Sequence, residues 1–203
     1  MKLKKIASLA LAGIMAVSML AGCNGSNGGN NGSSSSEVTT VNGAAAAINA
    51  ELDENKELIS FSEDSSLDNV VKAYFASNPI AASDWEGTDK KELDNAAKNI
   101  NSVIDATTYN LTNLETVLGR NNDKDKYSVL VVYGFNAKMF TQSAALKYIG
   151  QYIDHMNIAE ENSTGDKNYT YDGIVSVTEV KSKGNEESVW VVAVEITKDL
   201  ADK

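Results

Sequence analysis

His155 is the only histidine in the chain. Any Ser-His-Asp or Cys-His arrangement would have to use it as the base. Tyr148 and Tyr152 precede it at spacings of three and four residues, which on a helix line up along one edge. Two readings follow. The three side chains form an aromatic, hydrogen-bonding strip for a ligand, or they form the margin of a core, with the histidine near a helix C-terminus where its charge is favoured. No Gly-x-Ser-x-Gly nucleophile turn occurs, and Cys23 is the only cysteine. One His and one Cys exclude a structural zinc site, so the expectation is no metal, no cofactor and no catalytic residue that the sequence can assign. Paired carboxylates are the remaining enzymatic chemistry. Asp84 and Glu86 flank Trp85, and an acid with a nearby carboxylate is what glycoside hydrolysis requires.

Three local patterns resemble known ones. Trp85 between two acids resembles sugar-binding surfaces, where a flat aromatic face stacks on a pyranose ring; packing and capping of its loop is the other reading. Asn121, Asp123 and Asp125 resemble the first three ligands of an EF-hand loop, but Lys126 stands where that loop has glycine and Val132 where it has glutamate. A polar turn is therefore expected. The most specific pattern is at the start of the chain. Lys2, Lys4 and Lys5 form a basic head, and Ile6 to Leu20 carries no charge, which together read as a secretory signal. The apolar run is shorter than the roughly 20 residues needed to span a bilayer. It ends in Leu20-Ala21-Gly22-Cys23, which resembles the lipobox of bacterial lipoproteins. That resemblance implies a diacylglyceryl group on the Cys23 sulfur and cleavage by signal peptidase II between Gly22 and Cys23. A thiolate is the nucleophile such lipidation needs. Two acyl chains give a durable anchor where one would not.

Asn24 to Ser36 consists of Gly, Ser and Asn only, a composition that buries no apolar surface. As a flexible tether it would reach roughly 20 Å on average. The expected organisation is thus a lipoprotein signal peptide over 1–22, the lipidated cysteine and tether over 23–36, and one domain over 37–203. That domain holds all 28 acidic residues of the chain and, once the three leader lysines are set aside, 15 basic ones. Its net charge of −13 repels phosphate backbones and anionic lipid heads, which argues against nucleic-acid binding. The expected contacts are the membrane, through the lipid, and an unidentified extracellular ligand or protein. Asn24 is not the aspartate that retains lipoproteins in a Gram-negative inner membrane. With the Gly/Ser/Asn leash and the lack of any possible disulfide, the leader resembles that of Gram-positive surface lipoproteins.

Helices dominate the first part of the domain. Ala44 to Leu52 is alanine-rich, with Ile48 and Leu52 four apart. Ser65 and Asp68 resemble a capping box ahead of Leu67, Val70, Val71, Tyr74 and Phe75, which share a helical face, and Pro79 helps to stop that helix. Asp89 and Glu92 read as a second cap before Leu93, Ala96, Ala97, Ile100, Val103 and Ile104. A short helix from about Asn113 to Leu118 ends at Gly119, a natural C′ residue. Tyr127 to Phe135 is expected as a strand buried on both faces, and Thr141 to Met156 as a helix. Ile174 to Ser182 and Val189 to Thr197 are expected as a terminal hairpin turning at Lys183 to Glu186. Tyr169 and Tyr171 are read as a separate short strand ended by a turn at Asp172-Gly173. The hexapeptides 67–72 and 93–98 are loosely similar.

N-terminal helices followed by β-α-β-β indicate an α+β domain, with helices packed on a small, mostly antiparallel sheet. An early helix with a long terminal hairpin also resembles the NTF2-like cone, the alternative architecture. The functional expectation is a non-enzymatic surface lipoprotein that binds a ligand or partner through Trp85 or the Tyr148, Tyr152, His155 edge. The alternatives are a glycan-active enzyme of the cell surface and a structural subunit of a surface complex.

Overall fold

The computed structural model describes residues 38–104, 106–120, 126–182 and 187–202. The leader with Leu20, Ala21, Gly22 and Cys23, the Asn121–Asp125 segment and the Lys183–Glu186 turn lie outside the described residues. The fold is α+β. Three long strands form its centre: β5 (Lys126–Asn136), β6 (Lys167–Lys181) and β7 (Ser188–Asp202). β7 lies between the other two and is antiparallel to both. β5 and β6 therefore run parallel, joined by the crossover helix α5 (Gln142–Asp154), a split β-α-β unit.

Helices cover the sheet on both sides, a layered arrangement and not a cone. On one face, α1 (Ala44–Asn49), α4 (Leu111–Leu118) and α5 pack over Val129, Val131, Phe135, Tyr171, Val175, Val177, Val192, Val194 and Ile196. On the other, α2 (Ser65–Ser77) and α3 (Asp94–Ile104) pack over Leu130, Val132, Val180, Val189, Val191 and Ala193. Period-two alternation sends β5 and β7 into both cores, as their near-continuous apolar runs require. The two similar hexapeptides begin α2 and α3. Leu67 and Val71, like Leu93 and Ala97, belong to the same core, so the likeness puts matched positions over one sheet face. The −13 charge of the domain stays compatible with folding because the apolar stripes, not the acids, point inward.

Both sheet edges are closed by pairs of short strands. β1 (Val38–Thr40) and β2 (Ile59–Ser62) pair with β6, and β3 (Lys90–Glu92) and β4 (Thr107–Thr108) pair with β5. Short, interrupted edges resist pairing with another chain. None of the four follows from the sequence pattern. The proposed Asp89/Glu92 cap falls on β3 instead, because residues 90–92 bond to the exposed side of β5 at Tyr133 to Phe135. α2 is capped by the Asp64 side chain, which accepts from the Ser66 N–H, and not by Ser65. Val103 is 66% exposed and leaves the expected stripe.

Gly173 differs from its sequence reading, whereas Gly119 ends α4 as expected. β6 runs straight through Asp172-Gly173, where a turn was expected. Gly173 leaves room for the Phe61 ring of β2, into which a Cβ would project. Gly119 caps α4 with helical dihedrals and is needed for close approach of the Asn157 carbonyl. Toward one end of the sheet, the α2–α3 layer stops. Ser60, Asp172, Thr197 and Ser128 align across four strands there, with Ser60 and Asp172 exposed. No helix among the described residues is long and apolar enough to cross a membrane.

Candidate functional site

The last two turns of α5 face a cleft of about 520 Å³ lined by Tyr148, Gln151, Tyr152, His155, Met156 and Glu115. Spacing along one helix brings four of these together, and α4 supplies Glu115 from across the groove. Thr141 starts α5 by accepting from the Ala144 N–H, and His155 is its C-cap residue. The inward stripe of Ala145, Ile149 and Ile153 is buried, which fixes the rotation of the helix. That rotation leaves Tyr148 and Tyr152 half-buried at the core margin and the His155 side chain 73% exposed. The ligand-strip and core-margin readings therefore describe the same edge: the ring stems pack and the other side lines the cleft.

Tyr148 is held from several sides. Its ring lies 5.6 Å from Phe135 and 6.1 Å from Tyr133, and Lys90 Nζ stands 5.2 Å from its centroid. Burial, and then the neighbouring Tyr148, push the Tyr133 phenol up to about 12. Behind His155 lies the buried Asp154, which is not itself a lining residue of the cleft. One of its oxygens accepts backbone N–H bonds from Asp53 at 2.7 Å, Glu54 at 2.8 Å and Asn55 at 3.1 Å. The other stands 3.6 Å from His155 Nδ1. Burial works against its charge, but the three N–H donors and His155 outweigh it and hold the carboxyl below its ordinary value. Asn55 adds three amide bonds, to the carbonyls of Ile153, Asp154 and Met156. The helix end is thus locked to a segment about a hundred residues away in sequence.

Trp85 corrects the sugar-stacking expectation. It is 2% exposed. One side of its ring fills the space left by the missing side chain of Gly134, and Lys91 Nζ sits 4.5 Å from its centroid. Lys91 also donates to the Asp84 carbonyl at 2.6 Å. No pyranose can stack on a ring so enclosed, and packing of the loop is its role. Asp84 and the small exposed part of Trp85 border a second cleft, of about 510 Å³, between α2 and α3, whereas Glu86 is not among its lining residues. The two carboxylates do not share a cleft.

A second cluster of tyrosines was missed by sequence reasoning. Lys198 of β7 is 0% exposed. Its ammonium donates to the carbonyls of Leu118 at 2.9 Å and Arg120 at 2.8 Å. It lies 3.7 Å from the Tyr169 ring centroid, 5.5 Å from Tyr171 and 6.0 Å from Tyr127. The Tyr171 hydroxyl donates to the Leu118 and Ala159 carbonyls, and that of Tyr127 to Val117. Together these groups satisfy the carbonyls that the end of α4 leaves open. Burial pulls the Lys198 ammonium down to about 8 and pushes Tyr127 up to about 12. A signal for Lys198 was present: the alternation Trp190, Val192, Val194, Ile196, carried one step further, places residue 198 inside.

Among the described residues, no cluster of three or more His, Cys, Asp or Glu side chains is placed to hold a metal ion. In comparisons with known proteins, no family profile, curated protein or solved structure matched this chain.

Proposed function

We propose that this protein is a lipid-anchored binding protein of the extracytoplasmic surface, with the α4–α5 cleft as its ligand site. Leu20-Ala21-Gly22-Cys23 and the Gly/Ser/Asn stretch behind it support the anchor and the tether. The lack of a Gram-negative retention aspartate after Cys23 favours the outer face of a Gram-positive cytoplasmic membrane. The observation that carries the binding reading is the cleft itself. Tyr148, Tyr152 and His155, singled out by spacing alone, line one cleft with Gln151 and Glu115. Aromatic walls with a few convergent polar groups are what small-ligand sites use. The reading is non-enzymatic because its one imidazole faces no nucleophile among the lining residues and the Asp84/Glu86 pair is split.

Two experiments test it. Cys23→Ala should abolish incorporation of labelled palmitate and release the protein from the membrane; continued labelling would remove the anchor from the proposal. Thermal unfolding against glycans, muropeptides, peptides and divalent ions tests the cleft. Ligand at a hundred times its dissociation constant adds about 2.7 kcal/mol, a shift of several degrees. A shift that survives Tyr152→Ala would place the binding elsewhere. The open sheet face around Ser60, Asp172, Thr197 and Ser128 favours one second reading, docking to a partner protein in a surface complex. Co-purification from native membranes that is lost on Asp172→Lys would support it.

A further inference from the structure

We infer that the α4–α5 cleft takes an organic cation, a quaternary or protonated amine; this rests on the reading of that cleft as a ligand site. The walls carry one carboxylate, Glu115, and no lysine or arginine among the lining residues. A second carboxylate, Asp154, stands behind His155. α5 ends at this point with no basic residue in its last turn, so the negative end of the helix dipole meets only the neutral Asn55 amide on its last carbonyls and no lysine or arginine of its own. The nearest ammonium groups are already paired, Lys147 with Glu51 at 3.1 Å and Lys90 with Asp89 at 3.2 Å.

The rings of Tyr148 and Tyr152 supply the other half of the recognition. An aromatic face is negative at its centre and attracts a cation within about 6 Å. This chain already uses tyrosine in that way, with Lys198 against Tyr169 and Lys90 against Tyr148. The −13 charge of the domain adds a long-range attraction of the same sign. A phosphate or carboxylate ligand would find no positive partner among the lining residues. A neutral sugar would find stacking faces and the Gln151 amide but would bring no countercharge to Glu115, whose bond from the Asn157 N–H is a neutral one. A cation uses all of them.

The test titrates the intact protein with tetramethylammonium chloride and choline chloride, against sodium chloride at equal ionic strength, and separately with an uncharged N-acetylglucosamine oligomer, by calorimetry. The expected result is saturable binding of the two ammonium salts. Tyr152→Ala, Glu115→Gln and His155→Arg should each weaken it at least tenfold, while Tyr152→Phe keeps it within a few-fold. Glu115→Gln retains an oxygen for the Asn157 N–H, and the His155 side chain is largely solvent-exposed, so neither variant threatens folding. Tyr152-dependent binding of the oligosaccharide, with no response to either ammonium salt, would overturn the cation and leave the cleft standing as a site. Ammonium binding indifferent to Tyr152 and Glu115 would also overturn it. If none of these probes binds in a Tyr152-dependent way, the cation proposal fails; the cleft reading itself falls only if the wider ligand panel is also silent.

Discussion

Two clusters of tyrosines lie on the same face of the sheet and have opposite fates. Tyr127, Tyr169 and Tyr171 close around Lys198, an ammonium supplied by the chain itself, at the end of α4. Tyr148 and Tyr152 line a groove open to solvent beside the end of α5. Ring chemistry and helix polarity are alike in the two places; what differs is closure. At the first, Lys198 and two phenols satisfy backbone carbonyls from Val117 to Arg120. At the second, the helix end is held from beneath by Asn55, and the rings are left with one side free. Both clusters hold an ammonium of the chain near a tyrosine face, Lys198 against Tyr169 and Lys90 5.2 Å from Tyr148; the comparison teaches that closure, not ring chemistry, separates a sealed cluster from one that borders a cleft.

Removing a ring should expose that difference most strongly. Tyr169→Ala deletes a buried ring and the closest aromatic face to Lys198, and should cost about 3–5 kcal/mol in urea unfolding. A loss below 1 kcal/mol would mean that the closed cluster is not structural. Asp154→Ala comes next, at about 3 kcal/mol, because the buried N–H of Asn55 and the partly buried ones of Asp53 and Glu54 lose their acceptor. Its folded-state value lies below the unfolded 3.8. The stabilisation is therefore complete above pH 3.8 and is lost as pH falls through the folded value, and the variant should lack that acid-dependent part.

Lys198→Met should cost about 1–2 kcal/mol at pH 7. The Arg120 carbonyl loses its donor, while Leu118 keeps Tyr171 and the Ala159 N–H. The pH response is sharper evidence. Between about 8, where folded Lys198 releases its proton, and 10, the unfolded chain still holds that proton. The parent should gain stability across this window, by at most about 1.4 kcal/mol per pH unit, and the Met variant should not. A parent that loses stability there while the variant stays flat would reverse the assignment. The smallest effect belongs to the open cluster: Tyr152→Ala should change stability by about 1 kcal/mol or less and show itself in ligand binding alone.

The same contrast explains what the sequence made legible. α2, α5 and β5 are long enough for their periods to show and agree closely with the pattern, while β7 begins as expected but runs five residues past Thr197. β1 to β4 have two to four residues each, too few for an alternation to register, and they exist because β5 and β6 offer them edges. The open cluster was visible because Tyr148, Tyr152 and His155 lie on one helix. Glu115 was not, because it arrives from another helix, and the grip of Asp154 on residues 53–55 has no local signature at all. Trp85 misled because its neighbours are polar, while the space it fills is made by Gly134, 49 positions later. Lys198 was passed over because the expected strand stopped at Thr197, whereas β7 runs on to Asp202 and carries its alternation through residue 198.

The position of β7 between β5 and β6 has a consequence for the order of events during synthesis. The strand that occupies the middle of the sheet is the last of the described elements to be made. Until residues 188–202 are available, β5 and β6 have no partner between them, and both cores lack the side chains of their central strand. The protein therefore cannot fold progressively from its N-terminus. Its contacts are mostly distant in sequence, a topology that folds slowly, and the three-stranded centre cannot close until residues 188–202 have been made. Losing β7 would remove the strand that β5 and β6 both bond to and so dismantle the centre of the sheet, not trim one edge of it.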